Sequence, residues 1–351
     1  MKIAVLVSGG VDSSVALKLL KDQGHELTAF YLKIWLEDEL SFLGNCPWEE
    51  DLSYVTKVCE QLEVPLEVIS FQKEYWDQVV SYTVSEVKAG RTPNPDVLCN
   101  TRVKFGAFYS ALNGRGFDKI ATGHYAQVKA VDNEFELHTS PDLIKDQTYF
   151  LSHLSKEQIS KALFPIGHLQ KSELRQLAQE FDLPNKDRKD SQGICFLGKI
   201  KFKDFIQQYL GTKAGDMVEF ETGKKLAEHE GFWFYTIGQR QGIGLSGGPW
   251  YVVSKDIDKN IVYISKNYHN LDKPRNQFTV GEFNWISGNK PELHNLTVKL
   301  RHGQEKYNCS IQEFNEEFGV TIDKNDQGIA AGQFAVFYKA NICLGTGVII
   351  K

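Results

Sequence analysis

The chain has 351 residues, 42% apolar and 24% charged, with a formal net charge of −5. This length predicts two or three domains, and the balance excludes a disordered, fibrous or membrane-spanning chain, since no apolar run reaches the length of a bilayer-crossing helix. A negative net charge also argues against a generic nucleic-acid coat, which is basic because phosphate contacts dominate its affinity.

A strand beginning at Ile3, with no leader ahead of it, predicts a cytoplasmic protein with no membrane partner. Its six cysteines, at 46, 59, 99, 195, 309 and 343, are then expected as thiols. No Cys-x-x-Cys pair occurs, and no protein-held metal site is expected.

The first strand, Ile3–Val7, runs directly into Ser8-Gly9-Gly10-Val11-Asp12-Ser13-Ser14 and then a helical pattern over Ser13–Asp22. Strand, glycine turn and helix make an anion site. The glycines admit close approach of backbone N–H groups, and the helix turns its positive end to the same spot. Ser8 and Ser13 add hydroxyl donors. The loop lacks the Lys of a Walker sequence and has Asp12 instead. It resembles the pyrophosphate loop of ATP pyrophosphatases, which cleave ATP between its α and β phosphates and leave AMP on an oxygen.

Further strands are predicted at Glu26–Ile34, Leu66–Ser70 and Lys119–Gly123, alternating with helices at Glu49–Leu62, Glu74–Ala89 and Arg102–Asn113. That alternation predicts an α/β doubly wound parallel sheet covered on both faces. Ligands on such sheets bind beyond the carboxyl ends of the strands, where Ser8, Leu32 and Gly123–His124 fall.

Within Arg91-Thr-Pro-Asn-Pro-Asp-Val-Leu-Cys-Asn100, Asn94 reads as an N-cap and Pro95 as the first helical residue. Asp96 and Cys99, three apart, then share one face. A helix N-terminus eases thiol ionisation and a neighbouring carboxylate opposes it. The pair therefore makes sense if Asp96 moves a proton to or from Cys99 or a substrate. The same residues equally describe a capped helix with a packed cysteine.

Between Asn185 and Lys203, six Lys/Arg stand against Asp187 and Asp190, a run that is either a solvated surface or a polyanion contact. It leads into Arg188-Lys-Asp-Ser-Gln-Gly-Ile-Cys195-Phe196. Taken alone, Cys195 between Ile194 and Phe196 reads as a core thiol.

From Gly211 the texture changes, with nine glycines up to Gly248. Gly242-Ile-Gly244-Leu-Ser-Gly247 matches a dinucleotide fingerprint, but Gly248-Pro249 follows and no helix is expected to open there. Six close-spaced strands are predicted at Phe278–Ile286, Leu296–Arg301, Tyr307–Phe314, Gly319–Asp323, Gln333–Lys339 and Cys343–Ile350. They suggest a small antiparallel barrel or sandwich.

Several of these segments occur together in one family. The chain resembles the tRNA-specific 2-thiouridylases (MnmA family) through Ser-Gly-Gly-Val-Asp-Ser-Ser at 8–14, Gly-Arg-Thr-Pro-Asn-Pro-Asp-Val-Leu-Cys-Asn at 90–100 and Ala-Thr-Gly-His-Tyr at 121–125. Lys-Asp-Gln-Thr-Tyr-Phe-Leu at 145–151, Lys-Asp-Ser-Gln-Gly-Ile-Cys-Phe at 189–196, Tyr-Thr-Ile-Gly-Gln-Arg at 235–240 and Gly-Gln-Phe-Ala-Val-Phe-Tyr at 332–338 extend the likeness to the far end.

The resemblance implies an adenine nucleotide α-hydrolase-like, pyrophosphate-loop catalytic domain over 1–198. A small mixed tRNA-contacting domain over 199–273 and a C-terminal β-barrel that binds tRNA over 274–351 follow. It implies 2-thiolation of the wobble uridine in tRNAs for Lys, Glu and Gln, with ATP and Mg²⁺. ATP is held by Leu6, Val7, Ser8, Gly9, Gly10, Val11, Asp12 and Ser13 and by the backbone at Leu32 and Gly123. Cys195 carries sulfur as a persulfide received from a donor protein, a cysteine desulfurase or a relay protein. Cys99 assists its release or forms a disulfide with Cys195, and Asp96 handles a proton on the base. Two cysteines so far apart in sequence must meet, so a segment is expected to move when tRNA binds. Asn94, Pro95 and Asp96 face the target base, while His124, Lys145, Asp146, Gln147, Arg301, His302 and Gln333 contact tRNA. Leu32, Ala331 and His302 depart from the commonest family residues, Met, Pro and Tyr. The competing reading keeps the loop but adenylates a small substrate for amidation, with the cysteines as bystanders.

Overall fold

Ile3, Ala4 and Val5 are completely buried. A strand that is apolar on both faces belongs in the middle of a sheet covered by helices, and β1 (Lys2–Leu6) lies there. The structure, a computed structural model, describes residues 1–34, 47–132, 134–190, 201–268, 275–315 and 317–350. Cys46, Cys195 and the expected domain boundaries near 198 and 273 lie outside the described residues.

Helix α1 (Val11–Asp22) leaves the loop after β1 and leads to β2 (Glu26–Lys33). Helix α2 (Pro47–Leu62) and β3 (Leu66–Ser70) follow. Two long rods come next. In α3, Gln72–Tyr75, Trp76–Val80 and Ser81–Lys88 run on continuously, with wide π-helical turns in the middle stretch. In α4, Pro95–Leu98, Cys99–Ala107 and Phe108–Ala111 do the same. The helix starts at Pro95 on the expected Asn94 cap and runs without a break into the stretch expected from Arg102. The chain continues through β4 (Lys119–Ala121), a hairpin of β5 (Ala126–Val131) and β6 (Glu134–Thr139), α5 (Thr148–Leu151), α6 (Lys156–Lys161), β7 (Ala162–Leu163) and α7 (Lys171–Glu180).

The sheet order is β3-β2-β1-β4-β7, all parallel. The winding reverses between β1 and β4, so the crevice for a ligand opens beyond their carboxyl ends. Leu6 leads to the glycine loop there, and Ala121 leads to Gly123.

After α8 (Phe202–Leu210), β8 (Gly215–Glu219), β9 (Lys225–His229), β10 (Tyr251–Asp256) and β11 (Ile261–Ser265) form a four-stranded mixed sheet over Met217, Phe232, Trp250 and Val252. The glycines at 242–247 lie in turns, and no helix starts at them.

The last six strands are β12 (Gln277–Trp285), β13 (Leu296–Lys299), β14 (Tyr307–Phe314), β15 (Glu317–Ile322), β16 (Phe334–Lys339) and β17 (Ile342–Ile349). They close on themselves through β12–β17 around Val280, Val298, Val320 and Phe337. Closure removes the exposed edges that an open sheet would leave. The β5–β6 hairpin, which the sequence reading did not anticipate, adds to this barrel: Ile342 and Cys343 of β17 pair with His138 and Leu137 of β6. The catalytic half and the barrel therefore share one sheet.

Candidate active site

The loop after β1 is braced from within. Gly9 has φ +79°, a conformation costly for any residue with a Cβ. Gly10 caps α1 with extended backbone. Ser13 Oγ donates to the Gly10 carbonyl at 2.9 Å and accepts from Ser8 N at 3.2 Å, so this hydroxyl shapes the loop. Ser14 Oγ donates to the same carbonyl at 3.2 Å. Leu6, Val7 and Val11 are buried beneath, and Ser8 is exposed above. Leu32 sits at the end of β2 opposite Ile69, half-buried. Gly123 is where β4 meets the start of α1: a Cβ there would lie 2.7 Å from Ser13 N.

Asp12 is the hub of a charged network. Its Oδ1 accepts from Tyr125 Oη at 3.1 Å and from Lys171 Nζ at 2.5 Å. Lys171 Nζ also reaches Asp190 at 2.8 Å, and Asp190 takes Lys145 at 2.7 Å and Arg175 besides. Burial pushes the Asp190 carboxyl up, but hydrogen bonds from Lys145 and Lys171 outweigh it and hold its pKa at about 2. Burial, with Asp12 alongside, pushes the Tyr125 phenol far up, so it stays a donor. Behind the loop, Asn185 and Arg188 grip Gly9, and Arg188 pairs with Asp51.

The second segment stands at the mouth of α4. Asn94 Oδ1 accepts from Val97 N at 3.3 Å, and Pro95 occupies the first turn, where its missing N–H costs nothing. Asp96 is half-buried in that turn. Cys99 is 1% exposed and shares a buried cluster with Leu6, Phe30 and Leu98. The barrel abuts this segment. Thr92 N donates to Ala331 O at 2.8 Å, and a Cβ on Gly332 would strike Arg91 and Thr92. Tyr149 Oη bonds Phe334 O at 3.1 Å and lies near the Asn94 side chain. Gln333, between Gly332 and Phe334, accepts from Ala330 N at 3.0 Å.

The remaining expected residues separate into two groups. Lys145 belongs to the Asp190 network, and Gln147 clasps the backbone of Tyr125 in both directions at 2.9 Å. His124 bonds Thr122 Oγ1 at 2.6 Å, and burial, then Lys104, hold its pKa well below the usual range, so it is neutral. Arg301 is half-exposed and paired with Asp326; His302 stacks on Phe150 at 4.7 Å. Asp146 differs from all of these. Its side chain is 1% exposed and bonded to Lys299 Nζ at 2.8 Å, so in this arrangement no RNA reaches it and it holds the barrel to the catalytic half. Cys195 lies outside the described residues. Lys171 gave no local signal in the sequence; Asn185 and Arg188 open the basic run singled out there, though nothing in it pointed to the glycine loop, and Tyr125 and Asp190 also sit inside motifs already singled out.

Three family models cover the chain: a tRNA methyl transferase HUP domain over residues 1–199, a tRNA methyl transferase PRC-barrel domain over 203–266 and an aminomethyltransferase beta-barrel domain over 275–349. A tRNA-specific 2-thiouridylase MnmA of Parabacteroides distasonis is 47% identical over 356 aligned positions, covering 100% of this chain and 99% of that one. One of Porphyromonas gingivalis is 45% identical, with the same coverage. Bacteroides fragilis has a tRNA-specific 2-thiouridylase MnmA 2 that is 45% identical over 99% of this chain and 100% of its own. Identity of this order over the full chain makes it a member of the tRNA-specific 2-thiouridylase MnmA family.

Proposed function

We propose that this chain replaces the 2-carbonyl oxygen of the wobble uridine in tRNAs for Lys, Glu and Gln with sulfur, using ATP. Full-length kinship with relatives of that name carries the reading. The descriptions of the matching models mention methyl transfer instead. A methyl transferase has no phosphoanhydride to break, and the braced glycine loop beneath Ser8 would then have no task.

A carbonyl oxygen is a poor leaving group, so it must be activated first. The wobble base lies in a single-stranded loop, and extruding it costs about a few kcal/mol. Asp96 takes the proton from the ring nitrogen, and the 2-oxygen attacks the α-phosphorus. The new O–P bond forms as the bond to the bridging oxygen breaks, and pyrophosphate leaves. Backbone N–H groups over residues 9–13 hold the departing charge. Leu32 and Gly123 hold the nucleoside. Asp12, which also holds Lys171, would supply the carboxylate to a Mg²⁺ ion arriving with the phosphates. Among the described residues no cluster of three His, Cys, Asp or Glu offers an all-protein cage. When bound, the ion neutralises phosphate charge.

The terminal sulfur of a Cys195 persulfide then attacks the base carbon, and AMP departs with the oxygen. Cys99 thiolate attacks Cys195 Sγ, forming the Cys99–Cys195 disulfide and leaving sulfur on the base. A thiol reductant restores both cysteines. The persulfide comes from a cysteine desulfurase or a relay protein. His124, Lys145, Gln147, Arg301, His302 and Gln333, with Asn94 and Pro95 at the base, position the RNA, and Asp146 acts through its neighbours.

Nucleoside mass spectrometry of unmodified tRNA incubated with the protein, ATP, Mg²⁺, a cysteine desulfurase and cysteine tests the reading. Thiolated uridine at the wobble position is expected. Its absence, with pyrophosphate exchange driven by a small acid in place of tRNA, would overturn the reading in favour of small-substrate adenylation.

A further inference from the structure

The carbonyl of Gly9 points away from the open side of the loop and is held by two donors from a distant segment. Asn185 Nδ2 lies 2.8 Å from it and Arg188 Nη1 3.0 Å. Asn185 is 1% exposed, and its Nδ2 also donates to Ser14 Oγ at 2.9 Å. A carbonyl can only accept, so the orientation of the Asn185 amide is determined. A Cβ on Gly9 would meet Arg188 Nη1 at 2.9 Å and Asp51 O at 2.7 Å, so the contact closes only on glycine.

In a trans peptide the C=O of one residue and the N–H of the next point in opposite directions. Fixing the Gly9 carbonyl against Asn185 and Arg188 therefore aims the Gly10 N–H to the other side, over the start of α1. The guanidinium, balanced by Asp51, also polarises that peptide and strengthens its N–H as a donor.

We propose that Asn185 and Arg188 are positioning residues for the nucleotide phosphates. They touch no phosphate themselves. They keep the Gly9–Gly10 peptide turned so that its N–H meets the anion with no reorganisation on binding. This rests on the reading of residues 6–13 as an ATP site.

The test is calorimetry of the full-length protein with MgATP and, separately, with adenosine, which lacks phosphate. Asn185→Ala and Arg188→Met are each expected to weaken ATP by about 10- to 100-fold, the worth of a hydrogen bond to a charged group, with adenosine little changed. Arg188→Lys keeps one donor and is expected to recover most of the loss. Arg188 is only partly buried, so its variants answer the question even if Asn185→Ala does not fold. Folded variants that bind ATP as the parent does would overturn the proposal. So would a proportionate loss of ATP and adenosine, which marks general damage to the pocket. A parent protein that binds no ATP would instead overturn the underlying reading of the loop.

Discussion

Cys99 shows how far a single side chain can be interpreted. Its place three residues after Asp96, behind the Asn94 cap and Pro95, followed from local rules, and the cap is present as expected. What the sequence left open was whether the thiol is packing or chemistry. Burial at 1% suits packing, while the half-buried carboxylate one turn earlier and the barrel turn at Ala331–Gln333 suit a site. Cys99→Ser decides between them. It changes volume little but buries a hydroxyl among apolar side chains, so the expected result is a melting temperature lowered by a few degrees and an unchanged ATP affinity, with thiolation reduced by a factor of order 10³ or more. Near-parental turnover, measured by mass spectrometry of the nucleosides, would leave Cys99 a core residue.

His153 gives a second residue-scale prediction, on pH. Burial, then the nearby Arg102 charge, lowers its pKa from 6.5 to about 4, and its Nδ1 is buried without a hydrogen-bond partner. The unfolded chain therefore takes up a proton between pH 6.5 and about 4 that the folded chain refuses. Its contribution to stability is complete above the upper value and is lost as pH falls through that window. Urea unfolding near pH 7.5 and at about pH 5 should show the drop, and His153→Gln should reduce it, leaving the part that His124 contributes. An unchanged slope in the variant would assign the drop to other groups.

At the scale of elements, α4 has the most unusual geometry. Its wide turns over Cys99–Ala107 are held in part by Gln158, whose Nε2 donates to Thr101 O at 2.8 Å and Phe105 O at 3.0 Å. Gln158 Oε1 meanwhile caps α6 by accepting from Ser155 N at 3.0 Å. Gln158→Ala removes both functions and is expected to cost about 2–4 kcal/mol. Gln158→Glu keeps the cap and loses the donors, so comparing the two by chemical denaturation isolates the part belonging to α4. Equal stability of parent and Glu variant would show that the wide turns need no such support.

The elements also show what a sequence can and cannot display. The six barrel strands were readable because alternation of apolar and polar residues is a local property, and each fell within about two residues of its observed place. The hairpin that joins them was not, because its register is set by β17, some 200 positions later. The site divides in the same way. The Asn94 cap acts over three residues, whereas Lys171, Asn185 and Arg188 reach the loop across 159, 176 and 179 positions. Lys171 serves a distant carboxylate and the other two a distant backbone carbonyl, and no pattern near a donor names a target so far away.

For the whole molecule, the question is what sets the barrel against the catalytic half, since Gln333, Arg301 and His302 can serve the site only if that placement is fixed. Apolar contact alone is non-directional. Asp146 and Lys299 supply direction: their side chains are 1% and 2% exposed and 2.8 Å apart. Thr148 Oγ1 donates to both Asp146 oxygens at about 3 Å, and Ser140 N reaches one of them. Removing one partner strands a buried charge, which typically costs about 3–5 kcal/mol, while replacing both with apolar groups of similar volume is close to neutral. Lys299→Met is therefore expected to be strongly destabilised. The double variant Asp146→Leu with Lys299→Met should regain part of that stability: Tyr338 Oη, 3.1 Å away, remains as the partner of Thr148 Oγ1, while the buried Ser140 N loses its acceptor. Stability and function should then part. If the pair sets registry, the double variant unfolds at a higher urea midpoint than Lys299→Met and binds ATP normally, yet its KM for tRNA rises because the barrel is no longer held at one angle. A double variant with parental KM would mean that the shared β6–β17 sheet and the Thr92–Ala331 bond fix the barrel without the charges.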